Sequence, residues 1–135
     1  MVAPDILKSF FLHDEFARTN GIELVDVHEG YACTQMTIET HHLNAGGSVQ
    51  GGALFTLADL AFAAATNSHG NLTVTTTANI TFFHGAASGR ITAEARELVD
   101  HRRLPFCEVR ITDATGRLLA IFTASGYRKD ISIII

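Results

Sequence analysis

Residues 51–66 read GGALFTLADLAFAAAT, a run in which Asp59 is the one charged side chain. Everything else is apolar, small or a threonine, so the run predicts a helix enclosed by protein, the central helix at 51–67. An unpaired carboxylate in such a place is costly, and Asp59 must be used or partnered. On a helical wheel its three- and four-residue neighbours are Phe55, Thr56, Phe62 and Ala63. Gly52, Thr56, Asp59, Ala63 and Thr66 form a small or polar stripe, while Leu54, Leu57, Ala58, Ala61 and Ala65 form the side that faces a sheet. The stripe is the face that can line a cleft.

Outward from this run, the period changes. Upstream lies a loop of turn formers at 44–48, and downstream Gly70 suits a left-handed cap. Residues 5–18 carry Ile6, Phe10, Phe11 and Phe16 at helical spacing and predict one amphipathic helix within an N-terminal helical segment at 1–20. Residues 22–27 and 31–40 alternate with period two around Gly30 and read as a hairpin. Four further strands are expected at 72–83, 90–98, 107–112 and 118–127. No βαβ alternation occurs. The expectation is a single α+β domain over 1–135, with one antiparallel sheet curled around the apolar helix. A single layer of sheet leaves its outer face partly apolar, which self-association into a dimer or tetramer would cover.

Composition narrows the function classes. The chain is 47% hydrophobic and 18% charged with a net charge of −4, and its Lys and Arg are scattered, so no nucleic-acid footprint is present. No stretch is long enough for a membrane span or a signal peptide, and a cytoplasmic protein is expected. Cys33 and Cys107 have no metal spacing and read as reduced core thiols. The closing ISIII at 131–135 is β-prone and suits a last strand, a subunit contact or a sticky tail.

The start of the central helix offers a second tool. Gln50-Gly51-Gly52 places two residues without side chains where backbone N–H groups lack intrahelical partners and the helix dipole is positive. Such a terminus holds an anion or an oxygen acquiring negative charge. Seven helical residues separate Gly52 from Asp59, roughly 10 Å along the axis. One reacting carbonyl cannot touch both, whereas two antiparallel copies of the helix can supply one tool each. A site shared across a dimer is therefore expected.

The segment Asn44-x5-Gln50-Gly51-Gly52-Ala53-Leu54-Phe55-Thr56-Leu57-Ala58-Asp59, followed by Ala61-Phe62-Ala63 and Asn67-Ser68-x-Gly70, resembles the hotdog-fold acyl-CoA thioesterases of the phenylacetate-pathway (PaaI-like) type. The resemblance spans roughly 27–128, with the helix segment its specific part. It implies Asp59 as nucleophile or general base, and Gly52 with Gly51 as N–H donors to the thioester oxygen. It also implies Asn44 as an orienting amide and Thr75 as a hydroxyl assisting the water. Thr77 is the alternative to Thr75 on the same strand face. The histidine that precedes the two glycines in the family is Gln50 here, which can donate a hydrogen bond but carries no proton at neutral pH. Phe83-His84-Gly85 lacks the family's basic-Pro turn.

The implied reaction is hydrolysis of an aromatic or medium-chain acyl-CoA, with Phe55, Thr56 and Phe62 near the acyl group and no cofactor or metal. Each feature also has a plain structural reading: Asp59 as a hydroxyl-capped buried carboxylate, the glycines as a tight turn, Asn44 as a loop residue. His41-His42 would point to opposite faces of a strand and lacks a third ligand, so no metal is expected there. Arg102-Arg103 suits either CoA phosphates or a solvated turn. Two other functions compete: a non-catalytic acyl-CoA-binding module, marked by Gln50, and a hotdog hydratase or dehydratase, which would need a histidine this helix lacks.

Overall fold

The computed structural model describes residues 1–134. Two short helices, α1 (Pro4–Phe11) and α2 (Glu15–Thr19), lead into a hairpin of β1 (Glu23–His28) and β2 (Tyr31–Thr37). A 3₁₀ turn (Thr40–His42) precedes the central helix α3 (Gly51–Asn67). Four strands follow: β3 (Asn71–Phe82), β4 (Arg90–Val99), β5 (Phe106–Thr112) and β6 (Leu118–Ser132). They form one antiparallel sheet in the order β1-β2-β4-β5-β6-β3, and α3 packs against every strand of it. This is the hotdog arrangement expected from the sequence. None of the helices is long and apolar enough to cross a membrane.

The core follows from the two periods. Ala32, Ala95, Val109, Phe122 and Ile80 lie side by side across β2, β4, β5, β6 and β3 and face α3. From the helix, Leu57, Ala58, Ala61, Ala64 and Ala65 are wholly buried against that face. Alanines on both sides let helix and sheet approach closely, and Phe62 and Phe122 fill the deeper space. At the far end the Asn67 amide donates to Ala63 O (2.8 Å) and Thr73 O and accepts from Thr73 N (3.0 Å). Gly70 then takes φ +105°, which turns the chain into β3.

Three expectations are corrected. The single N-terminal helix is two: Asp14 adopts an extended ψ and its carboxylate accepts from Ala17 N (3.1 Å), capping a new helix after α1 has ended. Phe16, assigned to the apolar face, is consequently 68% exposed. Thr66, assigned to the cleft stripe, is buried, and its hydroxyl is satisfied there by donating back to Phe62 O at 2.9 Å. Strand β6 also runs on to Ser132, and Ile133 is buried with its N–H on Gly70 O. Ile135, the last residue of the ISIII run, lies outside the described residues.

Candidate active site

The start of α3 is held from three sides. Gln50 N–H donates to His42 O (2.8 Å), fixing the approach of the chain. Gly51 lies on the ring of Phe82, where an added Cβ would meet Cζ at 2.9 Å, so a side chain there would push the half-exposed ring aside. The Gln50 side chain caps the helix: its Oε1 accepts from Gly52 N–H at 2.5 Å. The donor implied for a thioester oxygen is thus held by its own neighbour's amide.

Two hollows flank this terminus. One, of about 440 Å³, is lined by Phe16, Gln50, Gly52, Ala53, Phe55 and Thr56 together with the 3₁₀ turn. Phe55 stands edge-on to Phe122 at 5.2 Å, so its exposed ring has a rigid footing in the core. The Thr56 hydroxyl donates to Gly52 O. The other hollow, of about 410 Å³, is lined by Asn44, Ser48, Gly51 and the 82–85 segment among others. There Asn44 Oδ1 accepts from Gly46 N (2.9 Å) and Ser48 N (3.1 Å), which closes the loop and leaves the amide nitrogen as its free donor group.

Asp59 lies elsewhere, half-buried where α3 passes β3. Thr75 Oγ1 donates to its Oδ1 at 3.1 Å. A β-bulge at Thr76 produces this contact. Thr75 pairs with Gly126 and Thr77 with Ser125, so two residues that would share a face in a regular strand point to opposite faces. Thr75 turns in towards α3 and Thr77 turns out. Thr77 is therefore removed from the candidate site by the bulge. Phe62 is removed too: it is wholly buried against Phe122 and presents no surface to a ligand.

Burial pushes the Asp59 carboxyl above its ordinary value, the Thr75 hydrogen bond pulls it back, and the Asp14 carboxylate pushes it up again. A carboxylate so placed is a stronger base than one in water. The thiols are not competing nucleophiles. Both are buried, and burial with the carboxylates of Glu94 and Asp26 holds Cys33 protonated to about 11. His41 and His42 sit in a 3₁₀ turn and not a strand, with ring centroids 4.0 Å apart. The ring nitrogens of His42 are spent on backbone: Nδ1 accepts from Glu39 N–H, which leaves Nε2 to donate to Asn20 O.

Within one chain, then, Asp59 and Thr75 come together, and Gln50, Gly52, Phe55 and Thr56 come together, while Asn44 and Gly51 open on a third side. The Thioesterase superfamily model matches residues 46–120, the span from the loop before the capped helix into the start of β6. The chain belongs to the thioesterase superfamily. Among curated relatives, a putative esterase of Archaeoglobus fulgidus is 32% identical over 87% of this chain and 77% of its own. The acyl-coenzyme A thioesterase PaaI of Escherichia coli K12 is 31% identical over 89% of this chain and 86% of its own. The solved structure of the E. coli PaaI protein superposes with a TM-score of 0.88, covering 97% of this chain and 99% of that one at 26% identity. A point mutant of the phenylacetic acid degradation protein PaaI from Thermus thermophilus gives 0.80 at 30% identity, covering 84% of this chain and 98% of that one.

Sequence reasoning missed Phe16 and Asp14. Phe16 lines the hollow beside Gly52, and Asp14 acts electrostatically on Asp59. The signal for both was Asp14 as a helix-capping residue type three positions before Ala17, hidden by a continuous apolar spacing.

Proposed function

We propose that this chain hydrolyses acyl-CoA thioesters to free acid and CoA at a site shared by two copies, with Asp59 of one copy acting opposite Gly52 of the other. The observation that carries the reading is the half-buried Asp59 carboxylate, raised in basicity by burial and oriented by the Thr75 hydroxyl. Such a group takes a proton from water as the water adds to the thioester carbonyl, or attacks that carbonyl itself. In the general-base form, the proton held on Asp59 passes to the departing thiolate. The carbonyl oxygen, as it gains charge, lies on Gly52 N–H at the start of the other copy's α3, once Gln50 Oε1 has given way. The acyl group, aromatic or medium-chain, occupies the hollow of Phe16, Phe55 and Thr56. Asn44 and Gly51 face the thioester from the far side of the helix start.

The architecture supports pairing. Strand β3 has twelve residues and lies at the sheet edge, bonded only to β6 among the described strands. An uncovered edge of this length is a template for a second copy. Antiparallel pairing there would bring two α3 helices into opposite directions and cover Asp59 and the exposed Thr75. A dimer, or a pair of dimers, follows. The setting consistent with CoA thioester chemistry and reduced thiols is the cytoplasm.

The reading is tested by thiol release from benzoyl-, phenylacetyl- and hexanoyl-CoA. Wild type releases CoA from at least one of them and Asp59→Ala does not. Tight binding of CoA thioesters with no release across the panel would favour a binding module instead, an outcome to which the Gln50 cap on Gly52 lends the specific observation.

A further inference from the structure

His42 takes no part in the chemistry proposed for Asp59 and Gly52, yet it touches both halves of the acyl site. It is 3% exposed and ends the 3₁₀ turn, in the wall of the hollow that Phe16 and Gly52 also line. Its Nδ1 accepts from Glu39 N–H at 2.9 Å, which staples the turn and leaves the ring proton on Nε2. Nε2 donates to Asn20 O at 2.8 Å, a carbonyl 22 residues back in the chain. Asn20 in turn closes α2 on Phe16: its N–H and Nδ2 both donate to Phe16 O, at 3.2 and 2.9 Å. In the other direction His42 O accepts from Gln50 N–H (2.8 Å), and Gln50 Oε1 holds Gly52 N–H. One run of side-chain and backbone links therefore joins Phe16, whose ring walls the hollow, to the amide of Gly52.

We propose that His42 is a positioning residue that fixes the acyl-binding wall of α2 relative to the oxyanion donor Gly52, so that the size of the acyl group is read in kcat and not only in binding. The role rests on the acyl-CoA reading of the site. Three observations converge. First, α2 has five residues, too few to hold its place unaided. Among the described residues, the His42–Asn20 bond is the one hydrogen bond tying 15–20 to chain outside 14–22. Phe16 is 68% exposed, so its place over the hollow is set by where α2 sits and not by packing of its own ring. Second, stapling the turn needs the Nδ1 acceptor alone. A second buried polar atom is costly unless paired, and here it is committed to α2. Third, the carbonyl of the same residue holds Gln50, so wall and donor are anchored on one rigid turn. An acyl group set against Phe16 is thereby held with its carbonyl in register with Gly52 N–H, the placement on which oxyanion stabilisation depends. An acetyl group has no chain to set against Phe16 and draws on the tie least.

The two ring nitrogens can be tested apart. His42→Asn keeps an acceptor at the place of Nδ1 and loses the donor to Asn20, whereas His42→Gln keeps a donor at the place of Nε2. For both variants, for Phe16→Ala and for Phe16→Ala with His42→Asn, kcat and KM are measured on benzoyl-, phenylacetyl-, hexanoyl- and acetyl-CoA, with thermal melts to confirm folding. In His42→Asn, kcat on the best of the three larger substrates should fall about tenfold relative to kcat on acetyl-CoA, and His42→Gln should recover most of that loss. Phe16→Ala should cause a similar fall, and adding it to His42→Asn should cost little more, because both act through α2. Equal loss on all four substrates, or full additivity, would confine His42 to the fold and overturns the proposal. The exposed ring of Phe16 lets Phe16→Ala fold in any case, and an effect of that change on KM alone overturns it too. Amide hydrogen exchange reads the tie without turnover. In His42→Asn, exchange at the Arg18 and Asn20 amides and at Gln50 N–H should quicken together, about tenfold, and in His42→Gln it should stay near wild type. Quickening at one end alone overturns the tie. A wild type that hydrolyses none of the four substrates overturns the acyl-CoA reading, and exchange then decides by itself whether His42 joins α2 to the helix start.

Discussion

Asp59 is the residue on which chemistry and stability pull in opposite directions. Its carboxyl is raised in the fold, so the folded state favours the protonated form and ionisation costs stability. Below the ordinary carboxylate value both folded and unfolded chains are protonated and that cost is absent. As pH rises through the ordinary value and past the raised one, it appears in full. Asp59→Asn should therefore melt higher than wild type near pH 7, with the difference vanishing below about pH 3, by thermal melts across that range. The same change should lower thioester hydrolysis roughly 100-fold or more. Thr75→Ala removes the hydrogen bond that pulls the carboxyl back, so the acid limb of kcat/KM should move to higher pH, and Thr75→Ser should restore it. Gln50 holds the third position of interest. Gln50→Ala deletes a helix cap, about 1 kcal/mol by denaturant melts, and uncovers Gly52 N–H, whose bond to the carbonyl oxygen strengthens as charge develops, so kcat should rise. The sequence made Asp59 legible because one charge among apolar residues is a local signal. It concealed the Gln50 cap, because a glutamine side chain folding back on the next-but-one amide depends on a rotamer and not on a residue type.

Among the elements, α3 and the strands were legible and the irregularities were not. Hydrophobic period is a property of many residues at once, so the helix at 51–67 and the succession of strands emerge from it. The bulge at Thr76 rests on one crowded contact. Gly126, opposite it, has no room for a side chain: a Cβ would meet Val74 O at 2.8 Å, Thr73 Cγ2 at 3.0 Å and Phe62 Cζ at 3.3 Å. A glycine within a strand is a sign of close backbone approach, but it does not say which neighbour approaches. Gly126→Ala should force β3 away from β6 and turn Thr75 off Asp59. The expected cost is about 1–3 kcal/mol, read from denaturant melts, with a loss of kcat larger than the loss of stability explains. Unchanged kcat in a folded Gly126→Ala would show that the bulge does not position Thr75. The break between α1 and α2 was hidden for a similar reason. Phe10, Phe11 and Phe16 keep helical spacing across it, and only the Asp14 cap, a single hydrogen bond, ends the pattern.

For the whole molecule, the account requires two copies. The helix carries its base and its oxyanion donor about 10 Å apart, and the hollow that Gly52 lines does not include Asp59. The edge strand β3 offers the surface on which a second copy would bring the two together. This separation follows from helix rise and was legible in the sequence, whereas the pairing edge needed the strand order, in which β3 closes the sheet beyond β6. The most direct measurement mixes two inactive variants. Asp59→Asn lacks the base, and Gly52→Pro lacks the N–H donor while Gly51, free of a side chain, accommodates the ring's restriction on the preceding residue. After denaturation and refolding together, about half of the dimers are mixed, and each contains one site with both tools intact. The expected result is recovery of about a quarter of wild-type thioester hydrolysis from two preparations that show none alone. No recovery, with mixed dimers demonstrated by mass, would mean that Asp59 and Gly52 of the same chain serve the same site, and would contradict the shared-site account.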